Sequence, residues 1–167
     1  MRVPIRKAGQ YTYIKSDPLM TEAKLTELKN QLKKLKEIIQ PELAKEVKRL
    51  ALMGDFSENA AYQIAKGRLR GANEKIDKIT KQIAEAKIIN PSKTIHEIEI
   101  GHLVTIISSK QTKKYRLLGS SETNPAQGAI SYQSPLGSAL LNKKVGEIAQ
   151  VKIDGQVTEY KIIAIEY

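Results

Sequence analysis

The sequence predicts an α+β fold: an N-terminal antiparallel α-helical coiled-coil hairpin, followed by a small antiparallel β-sheet domain with one short helix. Two apolar patterns predict it. Up to about residue 92, apolar residues recur at spacings of three and four, as in a coiled coil. Beyond that point they alternate with polar residues, as in half-buried strands. We place a basic tail at residues 1–16, the hairpin at 17–92 and the β domain at 97–167.

The first helix begins near Thr21 and carries a single apolar seam. The seam residues are Leu25, Leu28, Leu32, Leu35 and Ile39, and the spacing resumes at Leu43, Val47 and Leu50. Pro41 lies between the two runs and has no amide hydrogen to donate to a helix. We therefore expect a kink or a local register shift at residues 40–41, and a helix that ends near residue 52.

The second helix has the same spacing. Its seam residues are Leu69, Ala72, Ile76, Ile79, Ile83 and Ala86, with Ile64 or Ala65 as the first member. The short link at residues 53–58 requires the two helices to run antiparallel. A helix of about 30 residues is about 45 Å long at 1.5 Å per residue, so residues 54–59 form a tip far from the chain ends.

The β domain is predicted from period-two runs. Strand-like segments begin at Ile98 and Ile100 and continue through 103–107, 114–118, 129–132, 148–153 and 157–165. Asp154-Gly155 is typical of a tight hairpin turn. The residues from Ser138 to Leu141 follow a Ser-Pro pair and are expected to form the one short helix. The result is a sheet of about five strands.

Composition excludes several classes of function. The chain has no cysteine and two histidines, so disulfides, thiolate chemistry and an ordinary zinc site are excluded. The net charge of +10 is concentrated: residues 1–96 carry 20 Lys and Arg against 11 Asp and Glu, and residues 97–167 carry 8 against 7. The basic half indicates an acidic partner. No signal peptide or membrane span is evident, so we expect a cytoplasmic protein without membrane contacts.

The tip has two interpretations. As helix capping, Gly54 ends the first helix, Asp55 is an N-cap and Glu58 completes a capping box. As a functional site, Asp55 and Glu58 present two carboxylates one helical turn apart at the end of a rod. Mg²⁺ takes one or two protein carboxylates together with substrate phosphates. Such a tip would therefore complete a metal site that another molecule mainly builds.

The tip segment reads Gly-Asp-Phe-Ser-Glu-Asn-Ala-Ala-Tyr from Gly54 to Tyr62. It resembles the Gly-Asp-x-x-Glu-Asn-Ala-acidic-Tyr motif of the Gre family of bacterial transcript cleavage factors. The similarity extends over about residues 17–167. Residues that are similar to the GreB branch in particular are Gln63, Lys66, Arg68, Leu69, Arg70, Ile130, Ser131, Ser134, Pro135, Ala139, Leu140, Leu141, Val145, Gly146 and the closing Ala164 to Tyr167.

The resemblance implies an FKBP-like β domain that docks at the secondary channel of bacterial RNA polymerase, through Ser134, Pro135 and Leu136. It implies that the hairpin reaches the catalytic centre, where Asp55 and Glu58 share Mg²⁺ with the polymerase and Asn59 supports them. The isolated protein is not expected to retain the ion or to act as an enzyme. We expect a monomer that stimulates cleavage of backtracked RNA by the polymerase.

The resemblance also implies a basic patch that contacts the nascent RNA 3′ end. Its members are Lys45, Lys48, Arg49, Lys66, Arg68 and Arg70. Scattered lysines such as Lys33 and Lys81 are interpreted as a solvated flank. Two positions depart from the family pattern: Ala61 replaces an acidic residue at the tip, and Gln133 precedes the Ser-Pro pair.

Three alternatives remain open. An FKBP-like prolyl isomerase or chaperone would need an apolar pocket lined by aromatic residues. A nonenzymatic RNA-binding coiled coil would depend on the arginines and not on Asp55 and Glu58. A Gre-like inhibitor of the polymerase usually has a more acidic tip than this one.

Overall fold

The computed structural model describes residues 17–53, 60–92, 95–108, 111–153 and 156–167. The predicted basic tail at 1–16 and the tip at 54–59 lie outside these ranges. Helices and strands of the N-terminal part, which we call the arm, are β1 Leu19–Met20, α1 Glu22–Lys34, a π-helical segment Leu35–Ile39, α2 Gln40–Ala51, α3 Ala60–Glu85 and β2 Lys87–Ile88. An N-terminal helical hairpin followed by a β-sheet confirms the predicted α+β class.

One apolar seam holds the arm together. Leu28 and Leu35 on one side and Ile76 and Ile79 on the other are buried, and Met20 closes the seam at its base. The remaining seam positions are partly buried and pack against these residues: Leu25, Leu32, Ile39, Ile83 and Ala86. Within the described residues, no helix combines the length and the apolar composition that a membrane crossing requires.

The start of the α3 seam is decided by packing. Sequence spacing allowed either Ile64 or Ala65 as the first member. Ala65 is 1% exposed, whereas Ile64 is 57% exposed. The smaller side chain therefore faces α2, and the larger one faces outward.

The predicted register shift in the first helix takes the form of a π-helical segment. The Gln40 amide donates to the Leu35 carbonyl, five residues earlier. This wider turn comes just before Pro41, whose ring would collide with the carbonyl of Glu37 in a regular α-helix. The helix therefore continues past the proline as α2. The Gln40 side chain also donates to Asn73 Oδ1 across the arm at 2.8 Å.

The β domain is a five-stranded sheet with α4 packed on one face. Its elements are β3 Leu103–Ser108, β4 Gln111–Leu118, β5 Ala129–Ser131, α4 Pro135–Leu140, β6 Ile148–Ile153 and β7 Gln156–Glu166. The strand order is β5-β4-β3-β7-β6. The core contains Val104, Ile106, Leu117, Leu140 and Ile162. Pairing of β6 with β7 extends to Ile153 and Gln156, as expected for a two-residue hairpin at 154–155, which lies outside the described residues.

The prediction of a wholly antiparallel sheet is wrong at one edge. β5 pairs in parallel with β4, with Arg116 opposite Ala129. The chain leaves β4 and returns through two 3₁₀ turns, Ser120–Glu122 and Pro125–Gln127, instead of a hairpin. Because of this connection, β5 runs in the same direction as β4, whereas a hairpin would have made it antiparallel.

Two further sequence predictions shift in the structure. The short helix spans Pro135–Leu140 and not 138–141, because Ser134 Oγ accepts from the Gly137 amide and starts the helix three residues earlier. Ile98 and Ile100 lie outside the strands. Ile98 is nevertheless fully buried in the core, so its apolar character reflects burial and not strand formation.

His102 has a structural role. It is fully buried, and its Nδ1 accepts from the Glu99 amide at 3.1 Å. Its Nε2 donates to the Ser92 carbonyl at 3.1 Å. The histidine therefore ties the segment that follows the arm to the start of the β domain.

The base of the arm is attached to the β domain at what we call the joint, residues 17–21 and 119–122. β1 and β2 pair in parallel and hold the two ends of the hairpin together. The amides of Ser120 and Thr21 donate to the carboxylates of Asp17 and Glu122, respectively. In the same joint, Gly119 lies directly against the Leu19 backbone, because a Cβ at Gly119 would stand 1.9 Å from the Leu19 carbonyl oxygen.

We predict that Gly119→Ala destabilises the protein by roughly 1–3 kcal/mol, because the added methyl group must displace backbone. Gly71→Ala is the matched control: Gly71 lies within α3, and a Cβ added there would meet no atom within 4 Å outside its own helical turn, so Ala should stabilise the helix by about 1 kcal/mol. Urea denaturation midpoints measure both effects. Equal stability of the two variants would contradict the close packing at the joint.

Candidate functional site

The described helices bracket the predicted tip. α2 ends at Ala51, and α3 begins at Ala60 and runs antiparallel beside it. Asp55, Glu58 and Asn59 belong to the segment between these ends and lie outside the described residues. Their roles therefore stay predictions. The described structure establishes that the connection joins the ends of the two helices that lie farthest from the β domain.

Apolar side chains next to the tip are exposed. Leu52 is 79% exposed and Met53 is 69% exposed, at the end of α2. Ile64 faces outward in the first turns of α3. Large apolar side chains exposed near the end of a rod are typical of a surface that another molecule covers. Sequence spacing contained a signal for this, because Leu52 and Met53 fall outside the seam.

The six basic residues do not form a single face. All six side chains are exposed. On α3, Lys66 and Arg70 are four residues apart and share a face, whereas Arg68 points about 200° away from Lys66. On α2, Lys45, Lys48 and Arg49 all lie opposite the seam. The structure thus brings Lys66 and Arg70 together and places Arg68 on a different side of the helix.

Within the part of the chain that the structure describes, the basic patch makes few intramolecular contacts. Lys66 Nζ is 6.0 Å from the centroid of the Tyr62 ring. Arg70 Nε is 3.7 Å from Glu74 Oε1, and both side chains are largely exposed. Exposed pairs of this kind contribute little to stability. Arg49 Nη1 also donates to Met53 Sδ at 3.5 Å. None of these contacts prevents the cations from turning toward a phosphate.

The predicted docking residues surround the start of α4. Pro135 is exposed, and Ser134 and Leu136 are partly buried. Ser134 Oγ donates to the Ser131 carbonyl at 2.7 Å and accepts from the Gly137 amide at 3.0 Å. Leu136 packs against the core of the sheet. Internal contacts therefore hold this turn in one shape and leave Pro135 as its most accessible member.

Gln133, which departs from the family pattern, has an internal partner. Its Nε2 donates to the Tyr132 hydroxyl at 2.8 Å, and that hydroxyl donates to Asp17 Oδ1 at 3.4 Å. The docking turn is thus connected through Tyr132 to the joint at the base of the arm.

Sequence reasoning missed the joint. Thr21 precedes α1 and could have been identified as an N-cap. Its partner Glu122 lies 101 residues away, and no local pattern marks it. Asp17 has the same property, because its partner Ser120 lies 103 residues away in sequence.

A cleft on the sheet bears on the isomerase alternative. It has a volume of about 170 Å³ and is lined by Ile106, Ser108, Gln111, Lys113, Tyr115 and Tyr160. Half of these residues are polar or charged. Ligand pockets of isomerases and chaperones are expected to be mostly apolar, so this cleft does not favour that alternative.

Two family descriptions match the chain. "Transcription elongation factor, N-terminal" matches residues 18–88, and "Transcription elongation factor, GreA/GreB, C-term" matches residues 92–167. Together they cover the arm and the β domain.

Individual relatives agree with this match. Transcription elongation factor GreA of Mesoplasma florum is 37% identical, with 80% of this chain and 88% of that protein covered. The GreA protein of Nautilia profundicola is 34% identical, with 89% and 93% covered. Among solved structures, GreA factor homolog 1 of Thermus thermophilus is 22% identical, with a TM-score of 0.42 and coverage of 90% and 99%.

We predict that Ser134→Ala lowers the free energy of unfolding by about 1 kcal/mol, because it removes the N-cap of α4. Ser138→Ala is the control, since Ser138 Oγ is exposed and donates to the Pro135 carbonyl without capping the helix. Thermal denaturation of both variants measures the difference. If Ser138→Ala were the more destabilising change, the capping role of Ser134 would be wrong.

Proposed function

Because the chain belongs to the GreA/GreB family of transcription elongation factors, we propose that it binds RNA polymerase at the secondary channel and stimulates cleavage of backtracked RNA. The observation that carries the proposal is the arm, whose two helices end on either side of the acidic family motif. The predicted family is confirmed. The GreB branch stays a prediction, because the relatives named above are GreA proteins.

In this proposal the protein is an accessory factor that acts in the cytoplasm, and the polymerase performs the chemistry. Asp55 and Glu58 supply carboxylates to the polymerase active site, and Asn59 supports them. Two carboxylates are a suitable donor set for Mg²⁺. The chemistry that such an ion would supply there is polarisation of the phosphate oxygens and activation of the attacking water. The arm's own contribution is to deliver these side chains to the reacting phosphate.

The exposed apolar residues at the end of the arm support insertion into a partner. Leu52, Met53 and Ile64 face solvent in the isolated chain. Burial of such side chains against channel walls would favour binding, because apolar area would leave water. The patch residues Lys66 and Arg70 would then face RNA phosphates on the way to the tip.

The β domain is proposed to be FKBP-like and to dock the protein on the polymerase through Ser134, Pro135 and Leu136. Support for an FKBP-like domain comes from a five-stranded sheet with a short helix across it. Support for docking comes from Pro135, which is exposed on a turn that internal hydrogen bonds hold rigid. We propose that the protein binds as a monomer.

The central prediction concerns the tip. Asp55→Ala combined with Glu58→Ala should lower stimulated cleavage about 100-fold or more, since preorganised charge at a reacting centre is worth that much. Polymerase binding should be unchanged. Cleavage of end-labelled RNA in a backtracked elongation complex with Mg²⁺ measures the effect. Glu37→Ala with Glu42→Ala is the control pair, because both carboxylates are exposed on the arm away from the tip.

The same assay separates the alternatives. If the double tip variant cleaves like the wild type, Asp55 and Glu58 serve only as helix caps and the proposal fails. If the wild-type protein slows RNA synthesis and does not accelerate cleavage, it is an inhibitor of the polymerase.

A further prediction concerns the basic patch. Lys66→Gln with Arg70→Gln should weaken contact with extruded RNA and make the factor's apparent affinity less dependent on salt. For a single strand, two lost phosphate contacts reduce the slope of log affinity against log salt by about 1.4. Cleavage of deeply backtracked complexes, titrated with factor at several salt concentrations, gives this slope. Lys33→Gln with Lys81→Gln should leave the slope unchanged; an equal loss in both pairs would contradict a specific patch.

A further inference from the structure

We propose that Thr21 and Glu122 are positioning residues that aim the arm, so that the tip reaches the reacting phosphate when the β domain is docked. This inference rests on the proposed function and adds to it a pair of residues outside the tip, the patch and the docking turn. Neither residue contacts the reacting atoms; both act through the direction of the arm.

The Glu122 carboxylate holds both polar groups of Thr21. Its Oε2 accepts from the Thr21 amide at 2.7 Å, and its Oε1 accepts from Thr21 Oγ1 at 2.5 Å. Hydrogen bonds to a charged carboxylate are stronger and more directional than those between neutral groups. Because two oxygens of one rigid group bind two atoms of one residue, the pair restricts orientation as well as distance.

Thr21 transmits this restraint directly to α1. Its Oγ1 accepts from the Lys24 amide at 3.2 Å, which makes it the N-cap of the helix. The Glu122 carboxylate therefore lies at the N-terminal end of α1, where the helix dipole favours a negative charge. A movement of Glu122 would move the first turn of the helix with it.

A second carboxylate, that of Asp17, also supports the joint. Asp17 Oδ2 accepts from the Ser120 amide at 2.8 Å, and Oδ1 accepts from the Leu19 amide at 3.1 Å. Attachment at two points resists rotation of the arm better than attachment at one. Asp17 also accepts from the Tyr132 hydroxyl next to the docking turn. A substitution at Asp17 could therefore alter polymerase docking as well as the direction of the arm.

The length of the arm explains why direction matters. The first half of the arm is helical from Glu22 to Ala51, which corresponds to a length of about 45 Å. A rotation of about 5° at the base therefore moves the far end by about 4 Å. Misplacement of a reacting group by about 1 Å can lower a rate about 100-fold. The joint must hold the arm to within about 1–2° for the tip to act.

The proposal predicts that substitutions at the joint lower the cleavage rate much more than the affinity for the polymerase. Thr21→Val and Glu122→Ala should each lower the maximal cleavage rate at saturating factor about 10-fold or more. Affinity for the polymerase should change less than about threefold, because the docking turn is untouched. Thr21→Ser retains the hydroxyl and should restore the rate. Since the two residues share the hydrogen bond between Thr21 Oγ1 and Glu122, the loss of rate in the double variant should be smaller than the product of the two single losses.

The direction of the arm can be measured without polymerase. The chain has no cysteine, so spin labels at Leu52→Cys and Ile148→Cys, both exposed positions, would report the distance between the end of the arm and the β domain. Thr21→Val and Glu122→Ala should broaden or shift this distance distribution. Glu159→Ala is the control, because its carboxylate is exposed and contacts only Gln150 among the described side chains.

Each outcome decides the proposal. A distance distribution that is unchanged in Thr21→Val and Glu122→Ala would overturn it, as would a broadened distribution with normal cleavage. A loss of cleavage that follows polymerase affinity would mean that these residues support docking, which also overturns it. If the wild-type protein does not stimulate cleavage at all, the proposed function fails, and the positioning role of Thr21 and Glu122 fails with it. The distance measurement distinguishes that result from a failure of the positioning role alone, because it reports the direction of the arm without polymerase.

Discussion

The apolar seam between the two helices of the arm is the interaction on which the rest of the structure depends. Isolated helices in water are marginal, and their stability comes mainly from packing of an apolar face. Here that packing runs from Met20 at the base, through Leu35 and Ile76, to Ala65 near the far end. Without it there would be no rod to separate the tip from the β domain.

In the proposed function, the β domain, the arm and the joint each have a separate role. The β domain has a compact core and presents a rigid turn at Ser134 and Pro135. The arm supplies reach, and its outer surface carries charge and exposed apolar residues. The joint connects the two and determines direction. Because a long arm amplifies any rotation at its base, a few hydrogen bonds at Thr21 and Asp17 have consequences far from where they lie.

Much of the fold could be predicted because it depends on the local periodicity of apolar residues. The helical seams, the interruption at Pro41 and most of the strands follow from spacing along the chain. The errors arise where spacing is ambiguous or silent. Ile64 and Ala65 fit the seam equally well until α2 packs against one of them. β5 reads as an ordinary strand, but its parallel pairing depends on the path between β4 and β5. The start of α4 depended on a cap at Ser134.

By itself, the sequence determined the two-part architecture, the family motif around Asp55 and Glu58, and the position of that motif between two long helices. These features depend on neighbours along the chain, so periodicity and motif spacing are sufficient to find them. Only the tertiary structure decided which residues join the arm to the β domain. The Thr21–Glu122 contact links residues 101 positions apart. The two residues meet only because the folded β domain places the 3₁₀ turn Ser120–Glu122 beside the base of the arm.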